Sequence, residues 1–328
     1  MSTLPGRPAS PARRRLLLAT LAATLLPSAA GPSRADKPGY SVLEFDWRDG
    51  ARERDVPVRL YLPGAARRDT PAPLVVFSHG IGGSRAGYSY LGRHWAAQGF
   101  ASLHLQHVGS DRSLWMGNPL TLPSRLQDAA QEREAIARVA DLHFALDRLL
   151  ASAEGERIDP DRIAAAGHSY GANTTLLAVG ASVERDGRRV ALRDARLKAA
   201  IVISAPPFYG EAALGRVLGA IDVPSLHITS TEDVIRVPGY HSGAEDRIAV
   251  FDATGGARKA LAVFDGGSHS MFTDRAATGG AQLNAQVKAA TQALSIAFLR
   301  QVFGLGGEDA WRAWPLDHRA ILARFVGG

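Results

Sequence analysis

Four short segments carry side chains that could act together as a nucleophile, a base, an acid and an anion holder. "RIAAAGHSYGA" contains Ser169 between Gly167 and Gly171, "SLHITSTED" ends in Glu232 and Asp233, and "KALAVFDGGSH" ends at His269. "APLVVFSHGIGG" runs into the glycine-containing loop His79-Gly80-Ile81-Gly82-Gly83. A serine hydroxyl is a weak nucleophile at neutral pH and needs a base to take its proton, a role His269 can fill. An imidazole needs a carboxylate to fix its tautomer and orientation, which Asp233 or its neighbour Glu232 can supply. The oxyanion formed by attack on a carbonyl needs preorganised N–H donors. The backbone of Tyr170, next to the serine, and of Ile81, in the glycine loop, are the candidates. The chemistry so described is acyl transfer.

These segments share one feature, in that each follows a short apolar run. "PLVVF", "IAAA" and "LAVF" read as strands buried on both faces, and such strands come from parallel sheets. Helical periodicity lies between them, at about 88–98, at 126–150 with Ile136, Val139, Leu142, Leu146 and Leu149 on one face, at 172–179 and at 282–303. Strands alternating with helices imply an α/β fold, a mostly parallel central sheet with helices on both faces. "SVLEFDW" and "DVPVRLYLP", separated by Gly50-Ala51-Arg52, read as an antiparallel N-terminal hairpin at one edge. In such sheets ligands collect at the carboxyl ends of the strands, where all four segments end. Gly-x-Ser-x-Gly on a strand-to-helix turn, with serine, acid and histidine in that chain order, is the α/β-hydrolase arrangement.

Each candidate has a plainer alternative. Gly-x-Ser-x-Gly also occurs in ordinary turns, and a Gly-rich loop need not hold an anion. Asp265 and Asp252 are further acids, and nine other histidines compete with His269. His104 and His227 fall inside strands and suit the core, while His79 and His168 suit packing beside the site. His104 and His107 point to opposite faces of a strand, so no metal site is expected. No cofactor is expected either. Trp115 with Met116, and Phe208 with Tyr209, follow strands at the same end and could wall an apolar substrate pocket.

"PLVVFSHGIGGSRAGYSYLGRHWAAQGFASLHLQHVGSDRS" and "IAAAGHSYGA" resemble the platelet-activating-factor acetylhydrolase group and the bacterial predicted dienelactone hydrolases, over a span from about Pro73 to His269. The resemblance implies a cofactor-free Ser–His–Asp esterase with Ser169 as nucleophile, His269 as base and donors at Ile81 and Tyr170. Two departures stand against a transfer of substrate. The secreted animal enzymes carry their acid where this chain has Ser204, so the acid moves to the next strand. True dienelactone hydrolases use a cysteine nucleophile, and this chain contains no cysteine.

Bulk properties narrow the partners. The formal charge is +6, but residues 1–35 carry five arginines and no acid, which leaves 33 bases against 32 acids. A body so nearly neutral is not a nucleic-acid binder. Residues 1–35 have a basic start, the apolar run Leu16–Leu26 and small residues before Ala30 and Ala35. They read as an export signal of twin-arginine type around Arg13-Arg14, too short to span a bilayer. Residues 36–328 then form a single domain, periplasmic or secreted, with no stable membrane span. The expected function is carboxylic-ester hydrolysis of a small molecule. A perhydrolase or haloperoxidase, an amidase, and a non-catalytic binding protein are the alternatives.

Overall fold

A computed structural model describes residues 39–327 except 212, 238 and 275–279. The arginine-containing leader at 1–35 lies outside the described residues. The strands are β1 (Tyr40–Asp49), β2 (Arg54–Pro63), β3 (Ala72–Ser78), β4 (Ala101–Leu105), β5 (Ile158–His168), β6 (Ser182–Arg185), β7 (Arg188–Ala191), β8 (Leu197–Ile203), β9 (Ser225–Ser230), β10 (Ile235–Val237), β11 (Tyr240–Ser242), β12 (Lys259–Phe264) and β13 (Leu322–Val326). The helices are α1 (Ser89–Ala97), α2 (Leu122–Ala129), α3 (Glu132–Leu150), α4 (Tyr170–Val179), α5 (Leu214–Leu218), α6 (Ala244–Ala253), α7 (Ala281–Val302) and α8 (Glu308–Asp317).

Nine strands form one sheet in the order β1-β2-β4-β3-β5-β8-β9-β12-β13. The strands from β4 through β12 run parallel, with β2 antiparallel to β4 at one side and β13 antiparallel to β12 at the other. Alternation on the central strands explains their unbroken apolar sequence. Leu74 and Val76 of β3 join a core under α3 and α4, while Val75 and Phe77 join a second core under α1 and α7. Each residue of such a strand faces one of two helical layers, so most are apolar, and polar exceptions such as His104 of β4 and His227 of β9 are buried with hydrogen-bond partners.

The N-terminal hairpin forms as expected, with Asp49 opposite Arg54 across the turn. The helix expected over 126–150 is in fact two, because the chain breaks at Ala130-Gln131, where Gln131 adopts an extended conformation. Val139, Leu142, Leu146 and Leu149 do face the core, but Ile136 is 36% exposed. It lies in the second turn of α3 and does not join the core that the other four enter. The ribbon β6–β7, which turns at Asp186-Gly187 with φ of 49° and 71°, is not among the elements read from the sequence, although an Asp-Gly pair suits such a turn.

Candidate active site

Ser169 stands between the last residue of β5 and the first of α4, at φ 55° and ψ −126°. A non-glycine residue in such a region costs about 1–3 kcal/mol and persists only where its surroundings enforce it. The enforcement is visible in the two flanking glycines. A Cβ at 167 would stand 2.1 Å from the carbonyl oxygen of Gly171, and one at 171 would stand 1.9 Å from that of Ser78. Only glycine lets the strand, the turn and the neighbouring β3 approach this closely. The Ser169 N–H is anchored on the Ile203 carbonyl at 2.9 Å, and its own carbonyl accepts from the Ala172 N–H at 2.8 Å.

The turn brings Ser169 to His269, which opens a short 3-10 turn (His269–Phe272) after β12. Their Oγ and Nε2 are 2.8 Å apart, and His269 Nδ1 is 2.7 Å from Asp233 Oδ1. A carboxylate can only accept, so Nδ1 carries the proton and Nε2 is left as acceptor for the serine hydroxyl. Asp233 is wholly buried just past β9. Its second oxygen accepts from Ser204 Oγ and, at 2.8 Å, from Thr229 Oγ1. Burial alone raises the carboxyl pKa. The hydrogen bond and charge of His269, the buried Arg247 guanidinium 3.6 Å away and the Ser204 hydroxyl outweigh burial and hold it well below the usual carboxylate range. Of the other acids considered, Glu232, Asp252 and Asp265 are all exposed and outside this chain of bonds.

Two backbone N–H groups flank Ser169 without acceptors among the described residues. One is that of Tyr170, the first residue of α4, where the helix leaves its donors unpaired. The other is that of Ile81, and the loop carrying it is braced on several sides. Gly82 N–H donates to Ser110 O at 2.8 Å, Gly83 N–H to Gly80 O at 3.0 Å, and Arg138 Nη2 to His79 O. Arg138 itself is completely buried, lies 4.6 Å from the Tyr170 ring centre, and also donates to Ser110 Oγ and Thr174 Oγ1. Burial pushes its pKa down to about 10. One buried cation thus ties the loop that carries the Ile81 donor to the helix that carries the Tyr170 donor.

Of the remaining histidines, His79, His104, His107, His168 and His227 are buried and packed structurally. His168 Nε2–H donates to the His269 carbonyl at 3.0 Å and its Nδ1 accepts from Tyr88 Oη at 2.8 Å, so it buttresses the His269 turn. Burial, with the neighbouring His269, pushes the His168 pKa down to about 3. His104 and His227 are buried in strands. His107 lies two residues beyond the end of β4, bonded to Asp141. Among the described residues no group of three or more histidines and acids could hold a metal ion.

A cavity of about 450 Å³ opens beside Ser169, Ile81 and Tyr170. Phe208 and Tyr209 line it, whereas Trp115 and Met116 do not. Trp115 lies against the outer side of the glycine loop, its Nε1 donating to Gly82 O at 2.8 Å, and Met116 is 70% exposed. Sequence reading missed Ser204, Thr229, Arg247 and Arg138. Only Ser204 left a trace, as the position where related enzymes carry an acid. Its φ of 52° is a second strained serine, and it aims a hydroxyl at the acid that replaces its own.

Residues 57–136 match the family model described as platelet-activating factor acetylhydrolase, isoform II. That span contains the glycine loop but stops short of Ser169, Asp233 and His269. No curated protein matches the chain. Among solved structures, a ferulic acid esterase from Streptomyces cinnamoneus is similar at 22% identity and a TM-score of 0.57, covering 83% of this chain and 92% of that one. A cold-adapted esterase from an Arctic intertidal metagenomic library, solved in complex with polyethylene glycol, is 18% identical with a TM-score of 0.50, over 71% of this chain and 88% of that one. At these identities the likeness is one of fold. With the sheet order and the strand–serine–helix turn, it is the α/β-hydrolase fold.

Proposed function

We propose that this protein is a serine carboxylic-ester hydrolase that works through Ser169, His269 and Asp233 and an acyl-enzyme. The observation that carries the reading is the continuous hydrogen-bonded chain from buried Asp233 through His269 to a strained Ser169, ending beside two N–H groups free to bind an anion. The partial match to an acetylhydrolase family and the fold shared with two esterases support it.

In the first step Ser169 Oγ attacks the ester carbonyl as His269 Nε2 takes its proton. Asp233 stabilises the resulting imidazolium without itself becoming protonated. The Ile81 and Tyr170 N–H groups hold the oxyanion, and each such donor typically lowers the barrier by about 3 kcal/mol. His269 then gives its proton to the leaving alcohol oxygen. In the second step it draws a proton from water, which attacks the acyl-enzyme, and then returns that proton to Ser169 Oγ as the acyl–oxygen bond breaks and the acid leaves.

The test is labelling by a fluorophosphonate probe together with hydrolysis of p-nitrophenyl acetate and butyrate. Both should be lost in Ser169→Ala, and a variant that keeps wild-type turnover refutes the assignment. Residues 1–35 act, in the same proposal, as a cleaved export signal that sends a single domain to the periplasm or outside the cell. Amino-terminal sequencing of the protein recovered from the periplasm or medium tests this, and an intact leader on cytoplasmic protein overturns it.

A further inference from the structure

The cavity is lopsided about the nucleophile. Ser169, Ile81 and Tyr170 form part of its wall, but His269 does not line it. During ester cleavage the groups on the attacked carbon have separate destinations. The carbonyl oxygen turns to the backbone donors, and the leaving oxygen must come within hydrogen-bond reach of His269 Nε2, which supplies its proton. The acyl chain takes the direction that remains. Whatever hangs from the leaving oxygen therefore begins on the His269 side, outside the cavity, and the chain with access to the cavity is the acyl chain.

We propose that the protein selects its ester by the acyl half, and that this cavity holds an uncharged, apolar acyl group much larger than acetyl. The proposal rests on the ester-hydrolase reading above. Size is the first support. If each carbon takes about one water's share of volume, roughly 30 Å³, acetyl fills only about an eighth of the 450 Å³ cavity and octanoyl about half. Chemistry is the second. Ile136, Leu177, Val183, Val190, Phe208 and Ile235 line the space. The outward turn of Ile136 on α3, unexplained by packing against the sheet, acquires a purpose as part of this wall.

Charge is the third support. The ionic groups at the cavity wall are taken up by one another, since Arg185 of β6 is bonded to Glu132 and to Glu211, each at 2.6 Å. The one cation of the wall among the described residues is thereby engaged, which leaves no counter-ion there for an anionic acyl group, and both carboxylates are bonded to it. The same two bonds tie the β6–β7 ribbon to α3 and to the segment after β8, so the apolar walls from three parts of the chain are held around one space.

Ethyl octanoate and octyl acetate test the assignment, because they are isomers that carry the long chain on opposite halves of the ester. Burying a methylene is worth up to about fourfold in an equilibrium constant, so kcat/KM for ethyl octanoate should exceed that for octyl acetate at least tenfold. Val190→Trp, on a half-buried surface ribbon, should bring the ratio down severalfold towards one. Ile136→Trp on the opposite wall serves the same purpose if the first variant does not fold. Equal rates, a preference for octyl acetate, or a ratio unmoved in a folded tryptophan variant overturns the acyl assignment. Fluorophosphonate labelling of the same preparation separates the two readings. A labelled protein that prefers octyl acetate remains an ester hydrolase with its cavity misassigned. A protein that is neither labelled nor active on any ester refutes both.

Discussion

Among the described residues there are two serine–histidine–aspartate chains, and one of them faces a cavity. In the first, Ser169 Oγ, His269 and Asp233 are linked at 2.8 and 2.7 Å. In the second, Ser78 Oγ lies 3.0 Å from His107 Nε2, and His107 Nδ1 lies 3.0 Å from Asp141 Oδ2. The bonding pattern is the same, down to the nitrogen that each partner uses. The settings differ. Ser78 ends β3 as an ordinary strand residue, and it, His107 and Asp141 are all sealed from solvent. Ser169 sits on a strained turn beside two N–H groups without acceptors among the described residues, and the His269 side chain keeps 20% of its exposure.

The second chain braces the glycine loop. His107 N–H donates to His79 Nε2 at 3.1 Å, which puts the His79 proton on Nδ1, where it is donated to Gly80 O at 2.7 Å. Asp141 is held in turn by Arg52 and Arg54. A histidine between a hydroxyl and a carboxylate is therefore no nucleophile-activating device by itself. In the proposed reading, access, strain at the serine and a place for the oxyanion make the difference.

The largest expected contrast is between the serines. Ser169→Ala should lower ester turnover by about 10⁴–10⁶-fold, while Ser78→Ala should leave kcat/KM within roughly threefold and remove one buried hydrogen bond, worth about 1 kcal/mol. Loss of turnover in a folded Ser78→Ala protein would dissolve the comparison. The aspartates come next. Asp233→Asn should cut kcat by about 10⁴-fold through the wrong imidazole tautomer. Asp141→Asn removes the buried carboxylate that Arg52, Arg54 and His107 share, leaving Arg54 only Glu134, and should cost about 3–5 kcal/mol of stability instead, read as a lower urea midpoint with kcat retained below it.

Acid separates the two chains less sharply. Burial pushes the His107 pKa down to about 4 despite its bond to Asp141, and His168, His104 and His227 down to about 3. The unfolded chain takes up protons near the ordinary value of about 6.5, while the folded one refuses them. Stability should therefore be full above that value and fall as pH drops from about 6.5 towards 4. Asp233, whose folded pKa is depressed, adds a loss only below about 3.9. A melting temperature that stays flat between pH 7 and 4.5 contradicts the neutral, buried state of these histidines. The smallest effect belongs to the half-exposed ion pairs around Arg185. Arg185→Ala should change stability by less than about 1 kcal/mol, with a few-fold rise in KM for octanoate esters as the ribbon loosens.

Much of the fold is legible in the chain because both-face burial leaves no room for polar residues in "PLVVF", "IAAA" or "LAVF". The terminal strand β13 and helix α8 were not read, since half-exposed elements at a sheet edge carry only a weak pattern. The 126–150 stretch was read as one helix because apolar periodicity does not register a single extended residue such as Gln131. The same reading passed over Glu134, Arg138 and Asp141, which a periodicity argument assigns to solvent. They are buried because Arg54, His107, Ser110, Thr174 and the His79 carbonyl satisfy them, and these partners come from β2, the glycine loop, the segment after β4 and α4.

The sequence by itself determined the parallel sheet, the glycine-flanked serine after a strand, and the chain order of serine, acid and histidine. These are local facts, fixed by burial pattern and by the space that a missing Cβ leaves. The tertiary structure alone decided which of Glu232 and Asp233 turns inward to His269, that Ser204 and Arg247 hold it, and that Trp115 stands outside the cavity while Ile136 stands within it. Those outcomes depend on distances between segments up to about a hundred residues apart, and hydrogen bonds and contacts form by proximity in space, which residue spacing along a chain does not encode.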